Sequence, residues 1–459
     1  MNRIAGRAIS LLLIVSILLG GLGFFLFEYS TQSEKWVLHP GNSHVYEETE
    51  QLQLAMGTVV DRNGNFLLDL SGRHTYSTDA AVRKAMLHWL GDRAGNIHAP
   101  TLPHYTKEML GYDAINGIYN YGNAAGLATL TLSAEVQKAA LEALGNRKGT
   151  VAVYNYKTGE LLCAVTTPTF DPDHIPDFTA DTDGVYEAVY FNRFLQAAYV
   201  PGSIFKIVTT AAALETIPDI QTQTFTCTGS YSFGPDKVTC EQAHGTVDLK
   251  KAMMRSCNCA YAQIAMQLGR ETLSRYVDAY GVTKPVRFDG NVTVKGNVSL
   301  SDAANVELAW SAIGQHKDQI NPCAFLTFVG AIANGGQGVQ PYVLRSVSVA
   351  GKMTYTAPML PMERIMSQET ANLLSQLMRN NVIGHYGNEN FQGLTVCAKS
   401  GTGEVGGGKK PNAMFTGFVT DEAYPLAFIV CVEEGGYGRS TCVPIISQVL
   451  AVCKQVLDQ

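Results

Sequence analysis

The chain has 459 residues, of which 46% are hydrophobic and 16% are charged, and its formal net charge at pH 7 is -6. A chain of this length can bury one large core and a further small module. Its slightly acidic charge and scattered basic residues lack the electrostatic footprint of a nucleic-acid-binding protein, so we expect no nucleic-acid partner.

An uncharged stretch near the N-terminus predicts a membrane anchor. Residues 8–27 carry no charge, and about 20 apolar residues are enough for a helix to span a bilayer. Arg3 and Arg7 precede the stretch, which predicts a cytoplasmic tail at residues 1–7 and a chain that otherwise lies outside the cell membrane. A cleaved signal peptide is the alternative, but the length of the apolar core and the lack of a small-x-small site after Phe27 favour an uncleaved, single-pass anchor.

The next segment, residues 28–126, mixes polar, strand-like and helix-like pieces. It predicts a stalk followed by a small mixed N-terminal domain, the pedestal. The remaining residues, 127–459, are long enough for the main domain, and they contain three short strings that carry chemistry.

The first string is PGSIFK, in which Ser203 and Lys206 stand three residues apart and so project from one face of a helix. Pro201-Gly202 is typical of a turn, and the apolar run at 204–214 predicts a buried helix with Ser203 in its first turn. Burial can lower the pKa of a lysine enough for it to accept the proton of a serine hydroxyl. The helix N-terminus then stabilises the anion that forms. A capping serine beside a snorkelling lysine is the alternative.

The second string is RSCNCAY, with Ser256 and Asn258 two positions apart. Such a pair does not share a helix face, which favours a turn between two helices. In that turn Ser256 can relay a proton and the amide of Asn258 can bind a peptide backbone. A simple capping turn before a helix that begins near Ala260 is the alternative.

The third string is AKSGTGE. Residues 394–402 alternate like a strand and run into the glycine-rich stretch 403–408, which predicts a hairpin with a return strand at 414–418 and a buried neighbour at 426–432. An edge strand that presents Lys399, Ser400 and Thr402 can bind an extended peptide ending in a carboxylate. Taken alone, Lys399-Ser400-Gly401 is more typical of a loop.

Ten cysteines are many for a domain outside the cytoplasm. Cys227 and Cys240 flank a loop and form a candidate disulfide, which the sequence leaves open because their geometry is unknown. No pair has the C-x-x-C spacing of a zinc or redox site, so we expect no metal and treat the cysteines as small core residues. Free thiols would indicate a reducing habitat.

The order S-x-x-K, S-x-N, K-[ST]-G is typical of penicillin-binding proteins and serine β-lactamases. Further similar stretches lie at 57–64, 130–137 and 151–160, and together they make the chain resemble the class B penicillin-binding proteins. The resemblance implies an α/β (α+β) fold, namely a penicillin-binding/serine β-lactamase-like transpeptidase domain at 127–459 with an antiparallel sheet flanked by helices. A small pedestal and one N-terminal transmembrane helix precede that domain.

The resemblance also implies roles. Ser203 would be the acylated nucleophile and Lys206 its base, while Ser256 and Asn258 complete the proton network. Lys399 would belong to the same catalytic group. The substrate-binding residues would be Ser400, Gly401 and Thr402 of the third string. The oxyanion hole would consist of the backbone amides of Ser203, in the first string, and Thr402, in the third.

The implied activity is D,D-transpeptidation of peptidoglycan stem peptides, with inhibition by β-lactams and with no metal or organic cofactor. The implied partner is a polytopic glycosyltransferase of the wall-synthesis complex. A β-lactamase on the same fold is one alternative, but no E-x-x-L-N string of class A enzymes follows Ser256. Class D enzymes carry a Y-G-N string between their second and third motifs, and here Tyr386-Gly-Asn388 directly precedes the third strand and looks accidental. A non-catalytic sensor or scaffold is the other. Elongation, division and sporulation enzymes share these motifs, so the motifs do not assign a role.

Overall fold

The computed structural model describes residues 2–37, 57–70, 74–110 and 125–458. Its α-helices, numbered in chain order, are α1 Asn2–Val37, α2 Ala80–Leu90, α3 Thr106–Leu110, α4 Ala134–Leu144, α5 Arg193–Gln196, α6 Lys206–Thr216, α7 Leu249–Met254, α8 Asn258–Ala279, α9 Asn305–Ser311, α10 Pro322–Ala333, α11 Gln368–Asn381 and α12 Gly438–Leu457. Short 3-10 helices cover Leu102–Tyr105, Phe178–Ala180, Gly202–Phe205 and Asn388–Phe391, and a π-helical turn covers Val382–Tyr386.

The strands fall into two larger sheets and several two-stranded ribbons. They are β1 Thr58–Val60, β2 Phe66–Asp69, β3 Thr75–Tyr76, β4 Gly126–Leu130, β5 Gly149–Asn155, β6 Leu161–Thr167, β7 Thr224–Cys227, β8 Ser230–Phe233, β9 Asp236–Thr239, β10 Gly245–Asp248, β11 Arg287–Phe288, β12 Asn291–Val292, β13 Gln337–Val339, β14 Leu344–Val349, β15 Lys352–Thr356, β16 Pro361–Arg364, β17 Val396–Gly403, β18 Asn412–Val419 and β19 Leu426–Val432.

The predicted apolar helix is present as α1. The side chains of residues 4–27 are exposed, and the stretch Ile4–Thr31 is long and apolar enough to cross a membrane. A surface of this kind is stable in lipid or against another protein, not in water. The helix continues to Val37, into the segment predicted as a stalk, and residues 38–56 lie outside the part that the structure describes.

A five-stranded antiparallel sheet of order β17-β18-β19-β5-β6 forms the centre of the main domain. Because helices cover both of its faces, the inner strands β18 and β19 are buried along their whole length and read as continuous apolar runs. The hairpin predicted from the third string is confirmed, with β17 paired to β18 from Val396 opposite Val419 to Gly403 opposite Asn412. β17 is the edge strand.

The two faces of this sheet belong to two separate hydrophobic clusters. Alternate residues of a strand point to opposite faces, so Val151 and Val153 of β5 join the cluster that contains α4 and α12. Ala152, between them, joins the larger cluster that contains α6, α8 and α10. The turn that precedes α6 reaches this sheet at the edge formed by β17, where Gly401 lies against Pro201.

A second sheet, of order β15-β14-β4-β1-β2-β3, combines distant parts of the chain. Its strands β1 to β4 come from the N-terminal third, whereas β14 pairs with β4 and comes from residues 344–349. The predicted boundary between residues 126 and 127 falls inside β4. The division into a pedestal at 28–126 and a main domain at 127–459 stays a prediction, and this sheet contains strands from both segments.

Candidate active site

The first motif begins in a 3-10 turn that leads into α6. Gly202–Phe205 form the turn, and Lys206 is the first residue of the helix. Ser203 is thus close to the predicted first-turn position, and it is only partly buried. Gly202 has a φ of +54°, and a Cβ there would lie 2.2 Å from the carbonyl oxygen of Thr402. Only glycine allows the first motif to approach the third motif so closely.

The side chain of Lys206 is surrounded by oxygens from the first two motifs. Its Nζ lies 3.0 Å from Ser203 Oγ, 3.0 Å from Ser256 Oγ and 2.8 Å from the Ser256 carbonyl oxygen. It also lies 2.7 Å from Asn258 Oδ1. A neutral amine donates two hydrogen bonds and accepts one, so the hydroxyl of Ser203 can donate to its lone pair. The structure therefore joins the four predicted residues of these motifs in one hydrogen-bonded group.

Burial changes the protonation of both lysines in the site. Lys206 is fully buried, and desolvation lowers its pKa to about 7. Lys399 is also fully buried, and desolvation together with the nearby charge of Lys206 places its pKa well below the usual range. A substantial fraction of Lys206 is consequently neutral near pH 7, as a general base must be.

The second motif lies in a turn between α7 and α8, as predicted. Ser256 has a φ of +53°, a conformation that residues other than glycine rarely adopt. Helix α8 begins at Asn258, slightly before the expected start near Ala260. The Nδ2 of Asn258 donates to the carbonyl oxygen of Thr239 at 2.8 Å, so one of its two amide N–H groups is already used within the protein.

The third motif brings a second lysine to the same serine. Lys399 Nζ lies 3.2 Å from Ser256 Oγ and 2.9 Å from the Ser400 carbonyl oxygen. Ser256 therefore stands between Lys206 and Lys399. The side chains of Ser400 and Thr402 remain partly exposed at the edge of β17.

The backbone of β17 also faces the first motif. The carbonyl oxygen of Thr402 accepts a hydrogen bond from Gln315 Nε2 at 3.0 Å, on the open side of the edge strand. In an antiparallel strand the N–H and C=O of one residue point to the same side. The amide of Thr402 hence faces the same open edge. A Cβ on Gly401 would meet the carbonyl oxygen of Pro201 at 2.6 Å, which keeps this approach close.

Tyr386 is a site residue that sequence reasoning missed. Its string looked accidental, yet the ring is buried and its hydroxyl accepts a hydrogen bond from the Ser400 backbone N–H at 2.8 Å. The same hydroxyl lies 3.0 Å from Ser400 Oγ. Tyr386 therefore fixes the third motif at the open edge of β17, and its proximity in sequence to β17 was the only available signal.

We expect Tyr386→Phe to lower the melting temperature and to slow reaction with a penicillin, because the Ser400 amide loses its partner. An unsatisfied buried donor costs about 1–3 kcal/mol. Tyr154→Phe is the matched control, since the buried Tyr154 hydroxyl has no hydrogen-bond partner among the described residues. Thermal melts and labelling rates of the two variants check this, and equal behaviour of both would contradict the positioning role.

Cys227 and Cys240, the candidate disulfide, are not bonded to each other in the structure. All ten cysteines are free. Cys227 Sγ and Cys240 Sγ lie 3.6 Å and 3.7 Å from the Nδ1 of His244, and Cys240 Sγ lies 3.8 Å from Cys257 Sγ. The two sulfurs thus share their surroundings with a histidine and a third cysteine.

Comparison with known proteins agrees with this geometry. Residues 149–451 match the family described as penicillin binding protein transpeptidase domain. The chain is 29% identical over 338 residues to the peptidoglycan D,D-transpeptidase PbpA of Mycolicibacterium smegmatis, an alignment that covers 68% of each chain.

Solved structures share the fold. Penicillin-binding protein A from M. tuberculosis, in its penicillin G acyl-enzyme complex, aligns with a TM-score of 0.73 at 22% identity, over 87% of this chain and 100% of that one. The penicillin-binding protein PBP2 from Helicobacter pylori, in complex with MreC, aligns with a TM-score of 0.62 at 21% identity, over 74% of this chain and 66% of that one.

The family match spans well over half of the chain, which therefore belongs to the penicillin-binding protein transpeptidase family, in class B. The resemblance predicted from the three motifs is confirmed, and so is the fold of an antiparallel sheet flanked by helices. With its long apolar helix α1, the chain is a membrane-anchored member of that family.

Proposed function

We propose that the chain is a peptidoglycan D,D-transpeptidase that joins stem peptides through an acyl-enzyme on Ser203. The observation that carries the proposal is the buried amine of Lys206, 3.0 Å from both Ser203 Oγ and Ser256 Oγ. The name of the M. smegmatis relative and the penicillin acyl-enzyme of the M. tuberculosis protein support the same chemistry here.

In the first half-reaction, neutral Lys206 accepts the hydroxyl proton of Ser203. The Oγ attacks the carbonyl carbon of the penultimate D-alanine in a stem peptide that ends in D-Ala-D-Ala. The bond from that carbon to the nitrogen of the terminal D-alanine breaks, an ester forms on Ser203, and D-alanine leaves with a proton delivered through Ser256. Ser256 suits this relay because its Oγ contacts both lysines.

In the second half-reaction, the amine of a neighbouring stem peptide attacks the ester carbonyl. The carbon–oxygen bond breaks, a new amide cross-link forms, and the proton of the amine returns to Ser203 Oγ through Lys206. We assign the oxyanion hole to the backbone amides of Ser203 and Thr402, and the open-edge direction of Thr402 supports that assignment.

We assign recognition of the peptide to the edge strand β17, through Ser400, Gly401 and Thr402. Positive charge near His385, beside β17, supports a substrate that ends in a carboxylate. Burial lowers the pKa of His385, the residue before Tyr386, to about 4, and the charges of Arg439 and Arg255 lower it as well. The same field attracts a carboxylate.

The proposal is tested by a thioester analogue of a D-alanyl donor together with D-alanine as the acceptor amine. We expect mass spectrometry to find the amide of donor and acceptor in excess over the hydrolysed donor. Hydrolysis without amide formation would point to a hydrolase, and no consumption of the donor would remove the catalytic assignment altogether.

The rate of acylation by penicillin is expected to depend on pH through Lys206. Because burial lowers the pKa of this lysine to about 7, the neutral form that accepts the proton dominates above that value. The second-order rate constant should rise by about tenfold per pH unit below 7 and level off above it. Stopped-flow labelling from pH 5.5 to about 8.5 measures this. A rate that is flat or falls with rising pH would contradict Lys206 as the base.

We also propose that the chain crosses the membrane once, with its catalytic domain outside the cytoplasm, and that a membrane glycosyltransferase binds it through α1. The exposed uncharged stretch at 8–27, preceded by Arg3 and Arg7, supports this orientation. Alkaline phosphatase fused after Gln459 should be active, because the enzyme requires export. An inactive fusion of normal abundance would contradict the orientation.

A further inference from the structure

Three thiols and one imidazole from four separate segments meet beside the second motif. Cys227 ends β7, Cys240 follows β9, His244 precedes β10, and Cys257 is the N-cap residue of α8. One ligand atom from each of the four lies within 4.8 Å of the others. Cys227 and Cys257 are buried, and Cys240 and His244 are partly buried.

Three of the six separations between these atoms match the edges of a tetrahedron around zinc, and the other three are no longer than 4.8 Å. Zn–S bonds of about 2.3 Å and Zn–N bonds of about 2.0 Å place two sulfurs about 3.8 Å apart, and a sulfur and a nitrogen about 3.5 Å apart. Cys240 Sγ and Cys257 Sγ are 3.8 Å apart. His244 Nδ1 is 3.6 Å from Cys227 Sγ and 3.7 Å from Cys240 Sγ. A disulfide would require about 2.05 Å.

We propose that Cys227, Cys240, His244 and Cys257 bind one structural zinc ion. Three thiolates and one imidazole form a closed tetrahedral set with no position for water or substrate, which is typical of a structural site. The backbone N–H of Asn258 donates to Cys240 Sγ at 3.0 Å, and such outer hydrogen bonds orient and stabilise a thiolate ligand.

The position of the ion ties it to the second motif. Cys257 stands between Ser256 and Asn258. Cys240 follows Thr239, whose carbonyl oxygen accepts a hydrogen bond from Nδ2 of Asn258. Zinc bound to both cysteines holds Ser256 at its φ of +53° and aims Asn258 Oδ1 at Lys206. The ion thereby positions the groups around the base without touching substrate.

The surrounding chain is otherwise weakly constrained. Residues 224–248 form only two two-stranded ribbons, β7 with β10 and β8 with β9. Ribbons of this size are marginal by themselves, and metal binding supplies folding free energy to such small units. The zinc assignment stands independently of the acyl-transfer reaction, whereas its effect on acylation rests on the proposed function.

The metal content of the full-length protein tests the assignment. Protein purified in detergent under reducing conditions, without chelator, is expected to contain one zinc ion per chain by inductively coupled plasma mass spectrometry. Replacement by Co²⁺ should give a thiolate-to-cobalt charge-transfer band and the visible bands of a tetrahedral site. A protein that contains no zinc and binds neither ion, or peptide mapping that finds a disulfide between Cys227 and Cys240, would overturn the proposal.

Two alanine variants test the ligand set. Cys240→Ala should lose the zinc, whereas Cys259→Ala, a buried cysteine next to the cluster but outside it, should keep the zinc. Equal zinc loss in both variants would show that the ligand set is wrong.

Wild-type protein stripped with a chelator should react with fluorescent penicillin more slowly, by about tenfold or more, and should recover when Zn²⁺ is returned. Unchanged labelling of the zinc-free protein would contradict the positioning role. A zinc-loaded protein that never labels would instead contradict only the acyl-enzyme reaction.

Discussion

Ser203→Ala is expected to abolish covalent labelling by fluorescent penicillin. The hydroxyl of Ser203 is the group that Lys206 Nζ approaches at 3.0 Å and that remains partly exposed, so its loss removes the atom that forms the ester. Labelling is measured by in-gel fluorescence over a range of penicillin concentrations. Because the change deletes one partly exposed oxygen, the melting temperature should stay close to that of the wild type.

Ser447→Ala is the matched control for that experiment. Ser447 lies on α12, and its buried Oγ has no hydrogen-bond partner in the part of the chain that the structure describes. This variant should label like the wild type. Residual labelling of Ser203→Ala that saturates with penicillin would contradict the assignment of the nucleophile.

Lys206→Met is expected to slow acylation by about 10²- to 10⁴-fold, the usual contribution of a general base. Methionine fills most of the buried volume of lysine but cannot accept the Ser203 proton, and the lysine is fully buried in the wild type. The second-order rate constant for penicillin measures the effect, with thermal melting as a check of the fold.

Lys250→Met makes the same chemical change at an exposed position of α7, close to the second motif. Its rate constant should match that of the wild type. A Lys206→Met protein that folds and acylates within about tenfold of the wild-type rate would show that another group takes the proton.

The parts of the fold that the sequence could predict are local ones. The hairpin of β17 and β18 follows from alternation, a glycine-rich turn and a return strand that are adjacent in the chain. The helix after Ser203 and the turn at Ser256 follow from spacing in the same way. That these strings form one site could be predicted because their order is typical of a known family.

The parts that the sequence could not predict depend on contacts between distant segments. Nothing in the composition of residues 344–349 shows that they pair with β4, more than 200 positions earlier. Tyr386 reaches Ser400 only because the π-helical turn packs against β17. The clustering of the cysteines was not predicted for the same reason, because Cys227, Cys240 and Cys257 are far apart in the sequence and form no C-x-x-C string.

Mass spectrometry of the wild-type protein after reaction with penicillin G tests the central claim most directly. We expect a mass increase of one intact penicillin per chain, and peptide mapping should place it on the peptide that contains Ser203. An adduct on any other residue would contradict Ser203 as the acylated residue. Rapid release of hydrolysed penicillin without an adduct would contradict acyl transfer to an amine and point to a β-lactamase.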